Sequence, residues 1–179
     1  MKKFLLYSIS AILIIIVAGF LYITLTPPAS PLDTSTFVKD GKEVSITYSK
    51  PYKKGRLIFG EESDGALVPF NQYWRTGANR HTIINTNSEL NFNDNILSSG
   101  EYSLYTIPGK DTWKVVINSE NGFFGIVQPD SKNDILSFEV TPKTLTDSVE
   151  QLTIDFITDS IGSSVRLRWD LTEVIMPFK

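Results

Sequence analysis

Hydrophobic positions along this chain follow two patterns in turn. From Phe4 to Leu25 there are 22 residues without a charge, 18 of them apolar, the exceptions being Ser8, Ser10, Gly19 and Thr24. A helix of that length spans the roughly 30 Å hydrocarbon core of a bilayer, so residues 4–25 are expected as a transmembrane helix. A cleaved signal peptide would carry an apolar run of about 7 to 15 residues and a small-x-small cleavage site. No such site follows Gly19, and the segment reads as an uncleaved signal anchor. Lys2 and Lys3 precede it and the next charge is Asp33. The positive-inside rule then places the N-terminus in the cytoplasm and everything after Leu25 outside it, in the periplasm of a Gram-negative cell.

Residues 26–36 hold three prolines and no periodicity, the signature of a stiff spacer. From Phe37 onward the period is two, which sends alternate side chains to opposite faces of a sheet. Val44, Ile46 and Tyr48 alternate in this way, as do Trp113, Val115 and Ile117, then Leu136, Phe138 and Val140, then Leu152, Ile154 and Phe156. Val165, Leu167, Trp169 and Leu171 form the clearest case, with Arg166, Arg168 and Asp170 between them. Pro108-Gly109-Lys110-Asp111 is placed as a hairpin loop, and Asn121-Gly122 and Ile161-Gly162-Ser163-Ser164 as further turns. Only Pro142–Glu150 reads as a short helix. The expected fold is mainly β, an antiparallel β-sandwich or flattened barrel of about 9–10 strands over residues 37–179, after the N-terminal transmembrane helix.

Composition narrows the chemistry. The chain has 179 residues, 17 basic and 20 acidic, no cysteine and one histidine. Thiolate metal sites, iron–sulfur clusters, disulfides and cysteine nucleophiles are therefore excluded, as is a multi-histidine metal centre within one chain. No metal and no cofactor is expected, and bulk charge speaks against nucleic acid. Glu61, Glu62 and Asp64 lack calcium-loop spacing and read as a solvated loop. His81 is the only candidate general base near neutral pH, so any Ser-His-Asp scheme runs through it. No Gly-x-Ser-x-Gly elbow accompanies it, and paired carboxylates for glycoside hydrolysis are the other hydrolytic option.

Charge is uneven. Lys50 to Arg80 holds six basic and three acidic residues, whereas His81 to Lys179 holds seven basic and fourteen acidic. A basic segment in an acidic domain either pairs with its surroundings or converges on an anion, which arginine recognises through its planar fork. The densest polar cluster is Trp74-Arg75-Thr76-Gly77-Ala78-Asn79-Arg80-His81. Its structural reading makes Trp74 a core anchor, Arg75 a partner of loop carbonyls and Asn79 a turn residue. Its functional reading makes the loop a binding platform.

In order along the chain, Tyr48-Ser49-Lys50-Pro51, Lys54-Gly55-Arg56-Leu57-Ile58-Phe59-Gly60, Leu67-Val68-Pro69-Phe70, Trp74-Arg75-Thr76-Gly77-Ala78-Asn79, Ser99-Gly100-Glu101-Tyr102-Ser103-Leu104, Ile107-Pro108-Gly109 and Trp113 resemble the DUF2911 family of exported bacterial proteins. The resemblance spans residues 37–179 and implies no established activity. Some members carry an asparagine synthetase label, yet no Gly-x-x-x-x-Gly-Lys-Ser/Thr phosphate loop is present here. The family pattern carries an acidic residue after the Ala-Asn pair, where this chain has Arg80-His81. Lys54, Arg56, Trp74, Arg75 and Asn79 match the pattern and are the expected ligand-binding residues. The expected role is a membrane-tethered binding domain for a small anionic ligand or an envelope protein. The alternatives are a structural module of the envelope, and a hydrolase using His81 or a carboxylate pair.

Overall fold

The computed structural model describes residues 2–26, 28–122, 124–160 and 162–179. Pro27 of the expected spacer and Ile161 of the expected turn lie outside the described residues. The apolar run forms α1 (Lys2–Leu25). The transmembrane part of the expectation is not supported, because among the described residues no helix is long and apolar enough to cross a membrane.

Among the described residues, twelve strands follow: β1 (Leu32–Lys39), β2 (Lys42–Ser49), β3 (Phe59–Gly60), β4 (Val68–Pro69), β5 (Thr82–Thr86), β6 (Leu90–Phe92), β7 (Asn95–Leu97), β8 (Gly100–Ile107), β9 (Trp113–Asn118), β10 (Asp134–Val140), β11 (Lys143–Thr158) and β12 (Ser163–Phe178). All five alternating segments are strands. β1 begins at Leu32, inside the stretch expected as a spacer, and pairs with β2 along its whole length. The main sheet is antiparallel, in the order β1-β2-β5-β8-β9-β10. It is open, with β1 and β10 at its edges, so the flattened-barrel alternative does not hold.

β11 and β12 form a long hairpin across this sheet. The Tyr48 hydroxyl, from the sheet, donates to Ile154 O at 3.1 Å and accepts from Ile154 N at 2.8 Å. Pro51 and Lys53 extend the hairpin layer through Leu152 N→Pro51 O and Lys53 N→Glu150 O, and Asn91 on β6 exchanges backbone hydrogen bonds with Lys179. The core lies between these layers, with Val44, Ile46, Ile84 and Ile117 from one side meeting Leu152, Ile154, Leu167 and Trp169 from the other.

Pro142–Glu150, expected as a helix, is from Lys143 onward the start of β11. The pairing of β11 with β12 shifts register between Thr144 and Val149 and again between Val149 and Thr153. Those bulges leave Leu145 and Val149 half-buried and Leu152 buried. That spacing is three and four residues apart, which imitates a helical stripe in a strand that is locally out of register. β12 shows the complementary irregularity. Val165, Leu167 and Trp169 point inward, then Asp170 takes φ 52°, Leu171 is left exposed, and Val174, Met176 and Phe178 point inward again. The strict alternation expected through Leu171 therefore breaks at Asp170.

An aromatic cluster joins the layers. Phe59 sits with its ring centroid 4.8 Å from that of Trp113, 5.5 Å from Trp74 and 6.0 Å from Trp169, and Trp74 stacks on Trp169 at 5.9 Å. Replacing Phe59 by alanine removes the ring that all three indoles share. The expected loss is about 3 kcal/mol of unfolding free energy, at the low end for aromatic truncation because Phe59 is only partly buried. Denaturant unfolding followed by tryptophan fluorescence checks it, and a loss below about 1 kcal/mol would show that the indoles hold one another without Phe59.

Candidate functional site

All five expected ligand-binding residues, Lys54, Arg56, Trp74, Arg75 and Asn79, line one cavity of about 660 Å³. Its wall also contains Pro51, Tyr52, Leu67, Val68, Phe124, Ile126 and Trp169, and among the described residues no acidic side chain lines it. Two turns supply the cations. In the first, Arg56 N bonds to Lys53 O at 3.1 Å across Lys54 and Gly55, whose φ values are 50° and 70°. Positive φ at both central positions makes a type I′ turn. Arg56 Nε donates to Lys53 O at 3.0 Å and its Nη2 to Tyr52 O. The guanidinium is thus braced by backbone carbonyls, and three of its five donors are left over.

The second turn is the Trp74–Asn79 loop. Trp74 pairs with Thr106 on β8 through both backbone hydrogen bonds, 2.8 and 2.9 Å, so it continues the inner face while Tyr73 and Arg75 lie on the opposite side. Thr76 has φ 55° and Asn79 φ 61°. A β-branched residue in the left-handed region is strained, and the strain is met by polar contacts. Thr76 Oγ1 lies 3.1 Å from Thr106 Oγ1, Thr82 Oγ1 donates to Thr76 O at 2.9 Å, and Trp74 Nε1 donates to Gly77 O at 3.0 Å. Close approach favours glycine at position 77, because a Cβ there would lie 3.1 Å from Ser49 O and 3.2 Å from Thr82 Oγ1, tighter than ordinary contact. Arg75 Nη1 bonds only loosely to Asn79 O, at 3.3 Å. The structural reading of this cluster holds, since Trp74 is a core anchor and Arg75 touches a loop carbonyl, and both residues also line the cavity.

The basic segment divides in the same way. Lys50 pairs with Asp33 at 2.8 Å, and Lys53 with Asp170. Among the described residues, no carboxylate forms an ion pair with Lys54, Arg56 or Arg75. The Asp33–Lys50 hydrogen bond lowers the Asp33 pKa and raises that of Lys50, as expected for a pair satisfied internally. Trp169, stacked on Trp74, has its indole N–H buried with no partner among the described residues, an uncommon state for a buried donor.

The residues that sequence reasoning missed come from far along the chain. Phe124 and Ile126 belong to the loop between β9 and β10. Gly125 N bonds to Asn79 O at 2.8 Å, and a Cβ on Gly125 would meet Arg75 Cδ at 2.8 Å and His81 Cδ2 at 3.0 Å. Their only sequence signal is that large apolar residues stand in a glycine-punctuated loop, and both are exposed. His81 is buried, its Nε2 lies 3.1 Å from Val127 O, and it does not line the cavity. It fastens the loop from beneath, as does the Tyr73 hydroxyl, which donates to Gly125 O at 3.2 Å.

The structure is a mainly β protein of antiparallel sheets with a cationic cavity floored by indole rings. The chain belongs to the family described as a protein of unknown function (DUF2911), matched over residues 30–178, from β1 through β12. No curated protein and no solved structure matches it.

The same loop covers two tyrosines whose pKa values burial pushes up to about 12, Tyr73 and Tyr105. The Tyr105 hydroxyl bonds to the Asp134 carboxylate at 3.1 Å, and that charge raises it further. A folded pKa above the unfolded value of 10.0 means that the unfolded chain loses its proton first. The neutral ring's contribution is complete below pH 10 and falls as pH climbs toward 12, by up to about 1.4 kcal/mol per pH unit per tyrosine. Stability measured by denaturant at pH 9.5 and 11.5 (buffer values, about half a unit below the onset and about one and a half units above it) is expected to drop less steeply in Tyr105→Phe than in the wild type. Parallel slopes would show that Tyr105 titrates normally.

Proposed function

We propose that this protein binds a small anionic or polar ligand in the cavity formed by Lys54, Arg56, Trp74, Arg75 and Asn79, and that it does so outside the cytoplasm while tethered to the cell membrane. The observation that carries the binding reading is electrostatic. Three cations from two separate turns line a concave wall that holds no acidic residue. Like charges brought together without counter-charges repel one another, and an anion relieves that repulsion while filling the guanidinium donors left unused. The backbone strain at Lys54, Thr76 and Asn79 clusters at the same place, where strained residues mark functional sites.

The tether rests on the sequence of residues 4–25 with Lys2 and Lys3 before it. It is supported by side chains of α1 exposed on every side, among them Phe4, Tyr7, Ile9, Ile12, Ile16 and Phe20. A helix that is apolar all round is covered by a membrane or by protein. The hydrolase reading has no such support, since His81 lies outside the cavity and no carboxylate lines it.

Two measurements test the proposal. Native mass spectrometry of the full chain in a non-ionic detergent, with inorganic phosphate as the added probe, is expected to show saturable anion binding that weakens at least tenfold in an Arg56→Ala/Arg75→Ala double variant. Equal binding by the two proteins would remove the site. Alkaline extraction of the host-cell membranes is expected to leave the chain in the pellet, and its release into the supernatant would remove the tether.

A further inference from the structure

We infer that the ligand of this cavity is an anionic amphiphile, a carboxylate or phosphate head on an acyl or aryl body, and this inference rests on the binding reading above. A site made only for a free inorganic anion is lined by donors. Here the cations share the wall with Pro51, Leu67, Val68, Phe124, Ile126 and the stacked indoles of Trp74 and Trp169. Three of these apolar residues stay open to solvent, Leu67 at 42%, Phe124 at 58% and Ile126 at 70% exposed. Exposed apolar side chains gathered around a cationic pocket mark a place where apolar surface is covered on binding. Trp169, one of the wall residues, also carries a buried indole N–H for which the described residues supply no acceptor.

Chain connectivity says where such a ligand comes from. Ala29 and Ser30 line the cavity, and α1 ends at Leu25. Four residue steps of extended chain reach at most about 14 Å, so the cavity lies close to wherever the end of α1 sits. With α1 tethered as proposed, the cavity lies within reach of lipid head groups, whose chemistry is that of an anionic amphiphile. A free fatty acid presents the same chemistry from solution.

The test uses the full chain in nanodiscs of neutral phosphatidylcholine, titrated by calorimetry with inorganic phosphate, butyrate and decanoate, with empty nanodiscs supplying the partition heat. Affinity is expected to rise from butyrate to decanoate by roughly fourfold for each methylene covered. The decanoate-to-butyrate ratio is expected to fall in Phe124→Ser/Ile126→Ser, and decanoate binding to weaken in Lys54→Gln, an exposed substitution that keeps the fold. Equal affinities for butyrate and decanoate, or a ratio unchanged in the double variant, would overturn the amphiphile while leaving the anion site standing. No saturable binding of any of the three probes would overturn both. Adding an anionic phospholipid to the nanodiscs separates the two sources. A several-fold loss of apparent decanoate affinity identifies the bilayer as the supplier, and an unchanged affinity identifies the free amphiphile.

Discussion

The contact on which the rest of this structure depends is the packing of Phe59, Trp74, Trp113 and Trp169. Each ring comes from a different part of the chain. Trp113 stands on β9 in the open sheet, Trp169 on β12 in the long hairpin, Phe59 on the short β3, and Trp74 on the loop that bridges to β8. Edge-to-face and stacked contacts between such rings add to the area they bury, and their geometry fixes the distance and angle between the layers. Two of the four, Trp74 and Trp169, also line the cavity. The floor of the candidate site is thus the surface of the core, and a change that moves one layer against the other changes the site's shape.

Holding Arg75 beside this floor requires a backbone that local preference does not favour. Thr76 adopts a left-handed φ although its branched Cβ resists it. The compensation is a closed set of hydrogen bonds from Thr82, Thr106 and the Trp74 indole, all in a buried setting where such bonds are worth most. The loop carrying Phe124 and Ile126 is held in the same manner, by Asn79, His81 and Tyr73. The lone histidine takes part in that fastening through its Nε2.

Much of this was legible in the sequence because it depends on local patterns. Period-two alternation located β2, β9, β10, β11 and β12, and the Pro108–Asp111 turn located the β8–β9 hairpin, where Ile107 faces Lys114. The charge count and the family resemblance named the five residues that the fold brings to one wall. What was not legible depends on pairing between distant segments. The bulges of β11 gave Leu145, Val149 and Leu152 a helical spacing, and only their pairing with β12 makes that segment a strand. Phe124 reaches the cavity because Gly125 bonds to Asn79, across nearly fifty residues of sequence. Neither fact has a local signature. The division of the basic segment into paired and unpaired cations was equally hidden, since the Asp33–Lys50 and Asp170–Lys53 pairs join segments whose contact has no local signature.

Those bulges also connect the irregular part of the fold to the candidate site. In a regular β11–β12 ladder the residues of β11 from Ser148 to Glu150 would lie flat in the sheet. Displaced by the register shifts, Ser148 Oγ donates to Asp170 Oδ1 at 2.8 Å, and Asp170, itself in the left-handed region, receives the Lys53 ammonium. Glu150 accepts Lys53 N through its carbonyl and Lys54 N through its carboxylate at 2.8 Å. The turn from Lys53 to Arg56 is therefore clamped on both its backbone and its first side chain by the part of the hairpin between its two register shifts. Lys53 is neutralised by the clamp, and Lys54 and Arg56 line the cavity with no ion pair among the described residues. Bulges beside functional sites re-aim side chains. Here the re-aimed groups are the acids that hold a turn, and the turn in turn aims the cations.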